Sequence, residues 1–288
     1  MLTPARLVSE ATAAAAQLGF LVDAVFLVGS RAHNVALPNS DYDLKVVMHR
    51  RPEDYIDIRR LNPVTSIPIN VLDLDPRTTC EINISFIDVT HVASKLQAGK
   101  GQHVFDWLQS KRVLYCSDAF IDLINLASSV YLGTPEHSSE MLRRSTQYYW
   151  IIGDRALQSV LDPDALPSTD KSRQRLLAAL GSACYFHLSS KAESFFQKYP
   201  VDLMDAVHAV RDMDSGLITE AALTRISAVV NNWRSENPDN GFLICAVGAI
   251  VDHLLAAKFP RHSNLKIQGD VDMFNSKVRS IVLAEPSA

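Results

Sequence analysis

The sequence predicts an α+β protein: a mixed β-sheet with helices in the first part of the chain, followed by an all-α C-terminal domain. Three observations predict it. Apolar or alternating runs bounded by turn residues occur at 22–28, 41–49 and 81–86, which are strand patterns. Helical patterns lie between and before those strands. From about residue 118 strand patterns vanish, and apolar residues recur at helical spacing, punctuated by Pro163, Pro167, Pro200, Pro238 and Pro260. The expected domains are 1–117 and 118–288.

Each element has a local reason. Thr3 can cap a helix that Pro4 opens, an alanine-rich run sustains and Gly19 ends. Residues 22–28 are nearly all apolar and stop at Gly29, a buried strand. Residues 31–39 read as a loop with Pro38, and 41–49 as a second strand. The charged run 50–60 is a solvated helix or turn with Pro52 near its start. Residues 69–74 form a further strand or an insertion, and 81–86 a clean half-buried strand. Asp88 or Thr90 caps a helix that passes Lys95 and ends at Gly99. A short helix at 102–108 and a small strand at 113–115 follow. The expected helices of the second part are 119–130, 139–161, 172–188, 203–210, 219–233, 241–257 and 271–282.

Composition sets conditions on the partners. A net charge of −4 and a pI of about 6.1 create no global field toward nucleic acid or anionic membrane. An RNA substrate would need a local basic patch. Cys80, Cys116, Cys184 and Cys245 are far apart and lack C-x-x-C spacing, as expected of isolated thiols in a reducing cytoplasm. Arg6 and Glu10 inside the first helix argue against a signal peptide. Asp252 and His253 interrupt the most apolar stretch, 241–257, so no membrane span is expected. The histidines show no metal-ligand spacing. The basic clusters Arg143-Arg144 and Lys171-x-Arg173-x-Arg175 read as solvated helix faces, or as groups that hold an acceptor's phosphates.

The chemistry concentrates in one stretch. Phe26-Leu27-Val28 runs into Gly29-Ser30, and ten residues later Asp41-Tyr42-Asp43 opens the second strand. Asp41 and Asp43 are two apart, so a strand points both to one face. Neighbouring carboxylates repel, and a cation between them relieves the repulsion. Gly29-Ser30 offers a tight turn with free N–H groups and a hydroxyl, which suit phosphate. Paired carboxylates beside a phosphate turn make a magnesium–nucleotide site.

At these residues the chain resembles the DNA polymerase β-type nucleotidyltransferase superfamily, which has a Gly-Ser turn followed at this spacing by Asp-x-Asp on a strand. The string GSRAHNVALPNSDYDLKVV is most similar to RlaP-type nucleotidyltransferases, associated with RNA repair and with phages. The match covers Gly29, Ser30, Arg31 and Ala32, then Ser40, Asp41, Tyr42 and Asp43. Asn34 departs from the usual glycine, though asparagine tolerates a left-handed backbone, and His33 takes an aromatic position. A weaker likeness continues through Glu81, Lys95 and Phe105-Asp106-Trp107-Leu108, with Gly101-Gln102 in place of an Asn-Pro.

The resemblance implies a nucleotidyltransferase-type sheet and transfer of a nucleoside monophosphate from an NTP to a hydroxyl, releasing pyrophosphate. It implies Mg2+, as two ions or one, with Mn2+ as the alternative, held by Asp41, Asp43 and a third carboxylate. Glu81 opens an alternating strand and is the family-favoured third acid; Asp88 ends that strand but also stands where a helix cap is expected. Gly29, Ser30, Arg31, Ser40 and Lys95 are the candidate nucleotide-binding residues. The bland alternatives are a surface arginine, a turn-capping serine and a solvated helix lysine. The favoured acceptor is an RNA or tRNA end, with a protein side chain or a small molecule as alternatives, selected by a helical domain that closes the cleft. Two rival readings use the same fold: a non-catalytic nucleotide-sensing or toxin–antitoxin regulatory protein, and a kinase-like phosphotransferase.

Overall fold

The computed structural model describes residues 2–36, 40–55, 64–72, 79–99, 113–161, 169–191, 202–234, 237, 239–256 and 268–283. Helix α1 (Pro4–Gln17) starts as its sequence dictates: the Thr3 side chain accepts from the Arg6 N–H and proline occupies the first turn. Gly19, at φ +73°, turns the chain into β1 (Phe20–Val28). One helical turn, α2 (Gly29–Ala32), follows directly, so Arg31 belongs to a helix and not to the expected loop. Strand β2 (Tyr42–Arg50), a 3-10 turn at Pro52–Tyr55, β3 (Val64–Leu72), β4 (Thr79–Asp88), α3 (Val89–Gln97) and β5 (Val113–Cys116) complete the series. The helix expected at 102–108 lies outside the described residues.

The sheet order is β3-β4-β2-β1-β5. Strand β2 runs parallel to β4, and the other neighbours are antiparallel, giving the expected mixed sheet. Alternation decides the two faces. Tyr42, Leu44, Val46, Met48, Ile82, Ile84 and Phe86 are buried in one core with Leu7, Ala11, Ala14 and Ala15 of α1. Asp43, Lys45, Asn83 and Ser85, the alternate residues, are half-buried on the other face. A bulge in β1 between Val22 and Ala24 frees Asp23 from the ladder. Its buried carboxylate meets His49 Nδ1 at 3.0 Å, with both residues removed from solvent.

The chain forms two compact units. The first comprises Met1–Ala32, Ala36–Ser138 and Leu265–Ala288, and the second His33–Val35 and Ser139–Asn264. This differs from a division at 117/118, because two helices of the second half bury their apolar faces with the sheet. Phe120 of α4 (Asp118–Leu132) meets Phe26 of β1 at 6.4 Å between ring centroids. The amphipathic α10 (Val271–Val282) buries Phe274 and Ile281 and packs against α3 and α4. Gln97 and Gly269 exchange hydrogen bonds at 2.9 Å, and Lys277 pairs with Asp122.

The second unit contains α5 (Pro135–Leu161) from Ser139, α6 (Asp170–Lys191), α7 (Leu203–Met213), α8 (Glu220–Asn231) and α9 (Asn240–Leu255). Two expectations change here. Arg173 is not on a solvated face: it is 2% exposed. Its guanidinium donates to the carbonyls of Val229 and Val230 at the end of α8 and of Val35, at 2.9–3.0 Å. It thereby satisfies carbonyls that a helix end leaves without partners. Arg143 and Arg144 both donate to buried Glu140 at 2.7–2.8 Å. Tyr149 packs in the core against Tyr185 with the rings tilted, and Trp150 donates to the Leu255 carbonyl. Among the described residues no helix is long and apolar enough to cross a membrane.

Replacing Arg173 with Met, similar in reach but without donors, leaves three carbonyls short of a charged partner. The expected loss is about 2–4 kcal/mol of the helical unit's stability, read as an earlier urea transition in far-UV circular dichroism. An unmoved transition would show that those carbonyls do not need Arg173.

Candidate active site

The site begins at the end of β1. Val28 pairs with Asp43 across the antiparallel ladder, so the next residue, Gly29, turns beside the Asp43 carboxylate. Gly29 has φ +71°, and a Cβ added there would lie 2.3 Å from Asp43 Oδ2. Two independent constraints therefore demand glycine: a left-handed backbone and a carboxylate packed where a side chain would start. The same turn carries Ser30.

Arg31 closes the loop from within. Its Nε donates to the carbonyls of Ser40 and Asp41 at 3.1 and 3.0 Å, and Nη2 also donates to Ser40. The guanidinium lies 3.9 Å from the Tyr42 ring centroid, a cation–π contact. Arg31 thus ties the Gly29 turn to the start of β2 and fixes where the Asp41 backbone enters the sheet. Ser40 is buried in that closure. Asn34 adopts the left-handed backbone, φ 58°, that its residue type tolerates.

The parallel register of β2 and β4 supplies the other wall. Tyr42 faces Ile82 and Asp43 faces Asn83; Asp41 and Glu81 stand one residue before the first of these pairs, Asp41 just ahead of β2. Asn83 Nδ2 donates to Asp41 Oδ2 at 2.6 Å. The Asp43 carboxyl is held above its ordinary range. Burial is the main cause and the charge of Asp41 the next; Lys45 and the neighbouring Asn83 amide oppose the rise, and Glu81 adds to it. Asp41, Asp43, Lys45, Glu81 and Asn83 are therefore one electrostatic group, with Glu81 at its exposed edge.

Asp88 does not join this group. It pairs in register with Met48, about 17 Å along β4 from Asn83 at about 3.3 Å per residue. Its carboxylate is buried, accepts from the Thr90 N–H and hydroxyl and from Tyr55, and lies 3.6 Å from Arg50. It is the N-cap of α3. Lys95 stands in the last turn of α3, and the cation acting on Asp43 is Lys45. Sequence reasoning passed over Asn83. The alternation Glu81-Ile82-Asn83-Ile84 was the available signal, since it puts Asn83 on the face of Glu81.

Among the described residues no three His, Cys, Asp or Glu side chains converge on one point. Asp41 and Asp43 form a two-carboxylate set of hard oxygens. That donor set fits Mg2+, which is usually held by one or two carboxylates with substrate phosphates and waters completing its shell.

Residues 11–91 match the family model of the nucleotidyltransferase domain. The matched segment runs from α1 to the start of α3 and contains Gly29, Asp41, Asp43, Glu81 and Asn83. The match is to a domain of transferases and supports an enzyme of that class. No curated protein matches the chain. A crystal structure of a nucleotidyltransferase-like protein from Exiguobacterium sibiricum 255-15 aligns over 88% of this chain and 74% of that one, with 11% identity and a TM-score of 0.34. That likeness is loose.

Two measurements probe the turn and its acids. Gly29→Ala carries the left-handed strain and the clash with Asp43, whereas Gly19→Ala, with nothing within 4 Å of its added Cβ, carries the strain alone. The first is expected to destabilise by about 1–3 kcal/mol more than the second. Asp43→Ala in the Gly29→Ala background should recover most of that difference in thermal melts. The second measurement follows from the raised carboxyl of Asp43. The folded state binds that proton more tightly than the unfolded chain, so the group's contribution to stability falls as pH rises from the usual carboxylate range through the raised value. Metal-free Asp43→Asn should flatten this decline in chemical denaturation between about pH 4 and 7. Part of the slope persists, because burial raises Asp23 in the same direction. An unchanged slope would remove Asp43 from the account.

Proposed function

We propose that the sheet unit binds a magnesium–NTP complex on Asp41 and Asp43 and transfers the nucleoside monophosphate to a hydroxyl acceptor. The observation that carries the reading is the meeting of Asp41 and Asp43 on one sheet face, against a Gly29 turn that admits no side chain, inside a segment matching the nucleotidyltransferase domain. Bound divalent cation would supply charge neutralisation at the phosphates and a more acidic acceptor hydroxyl.

The chain's own residues have distinct tasks in this reading. Asp41 and Asp43 would hold the cation. The Gly29-Ser30 turn would receive the phosphates through N–H groups and the Ser30 hydroxyl. Arg31, with Ser40, keeps the turn and β2 in register. The acceptor oxygen forms a bond to the α-phosphorus, the bond from that phosphorus to the β-phosphate bridging oxygen breaks, and pyrophosphate leaves. Glu81, at the exposed edge of the acidic group, would take the hydroxyl proton. Positioning and charge neutralisation would do most of the work. The helical unit would select the acceptor, and an RNA or tRNA 3′ end is the favoured one.

The decisive test incubates the protein with Mg2+ and each α-labelled NTP, then follows label on RNA, protein and small molecules together with pyrophosphate. Label transfer with stoichiometric pyrophosphate is expected, and Asp41→Asn or Asp43→Asn should lower it by about a thousandfold or more. NTP binding without transfer would favour a nucleotide sensor instead. Transfer of γ-label without pyrophosphate would make the protein a kinase-like phosphotransferase.

A further inference from the structure

Asn83 is neutral, half-buried and central among charged neighbours. It stands beside Asp43 in the parallel register and donates to Asp41 Oδ2 at 2.6 Å. One side chain thus binds one acid and neighbours the other across the ladder. An amide can do this because its NH2 group carries two donors and no charge. A carboxylate in its place would add a further negative charge to a pair that already repels. An aliphatic side chain would leave Asp41 without this donor, free to turn away from Asp43.

We propose that Asn83 is a positioning residue that sets the separation and orientation of Asp41 and Asp43 for a divalent cation before nucleotide arrives. This rests on the nucleotidyltransferase reading of the site. The amide engages one oxygen of Asp41 and leaves the other to a ligand. Because Asn83 is paired with Asp43 across the ladder, this bond holds the Asp41 carboxylate on the Asp43 side of the sheet, so that bringing the two together is not left to the cation. Groups that orient metal-ligating carboxylates in this way typically matter by about 10–100-fold in metal affinity. Asn83 touches neither reacting atoms nor substrate in this role; it acts through the two acids.

The test measures binding of Mn2+ alone, without nucleotide, by electron paramagnetic resonance and by calorimetry. Asn83→Leu keeps the size and removes the donors; Asn83→Ala removes the side chain and serves if the leucine variant does not fold. Both are expected to raise the Mn2+ Kd by about 10–100-fold in metal-free protein that circular dichroism shows to be folded at the assay temperature. Wild-type affinity in the folded variants overturns the proposal, and so does a parent protein that binds no Mn2+. Pyrophosphate release by the parent protein separates this from the function itself. Weakened Mn2+ binding in the variants, with no release from any NTP by the parent, upholds Asn83 and defeats the transferase reading. Release by the parent with unchanged Mn2+ binding in the variants does the reverse.

Discussion

Asp41 and Asp43 repel one another, and the sheet unit is arranged so that the repulsion is tolerated. Lys45 and Asn83 oppose it from β2 and β4. Gly29 lets the backbone close against the Asp43 carboxylate, where any other residue would push it away. Behind the sheet, α1 buries the alternate residues of the same strands and keeps the polar positions facing the other way. A one-residue slip of β4 against β2 would exchange Asn83 for Ile82 or Ile84 and turn the acid face inward. The apolar core therefore holds the register on which the acids depend. Burial and like charge are locally unfavourable for Asp43, as is common where a site is organised for a ligand.

The segment between the turn and the acids is divided between the two units. Ser30 and Asp41 belong to the first, and His33–Val35 to the second. The Val35 carbonyl is held by buried Arg173, and the His33 carbonyl accepts from the Leu203 N–H at 3.2 Å. Arg173 thus serves two purposes with one guanidinium: it completes the end of α8 and fixes three residues of this segment. Arginine suits this because its planar fork offers several donors in fixed directions.

The strand order of types and the turn were legible because their signals are local. Gly29, Asn34 and the Glu81 alternation each carry a backbone or periodicity argument within a few residues. The cap of α3 was legible in the same way, and it is the reason Asp88 is absent from the acidic group. What the residues did not reveal depends on partners distant in sequence. Arg173 looks like one member of a basic run until Val35 and Val229 surround it. Asn83 looks like any polar strand residue until the parallel register sets it beside Asp43. Asp23 looks misplaced in an apolar strand until a bulge delivers it to His49. The division into compact units differs from 117/118 for the same reason: α4 and α10 carry ordinary amphipathic patterns that do not say which core they cover.

The placement of α10 has a consequence for synthesis. A chain emerging from the ribosome ordinarily completes its units in the order in which they are encoded. Here the helical unit has all its residues once Asn264 is out, while the sheet unit still lacks its last helix. The hydrogen bonds between Gln97 and Gly269 close a separation of 172 residues, so much of the chain must be made before they can form. Until then the faces of α3 and α4 that receive Phe274 and Ile281 are open to water. The unit that carries the acids is begun first and finished last.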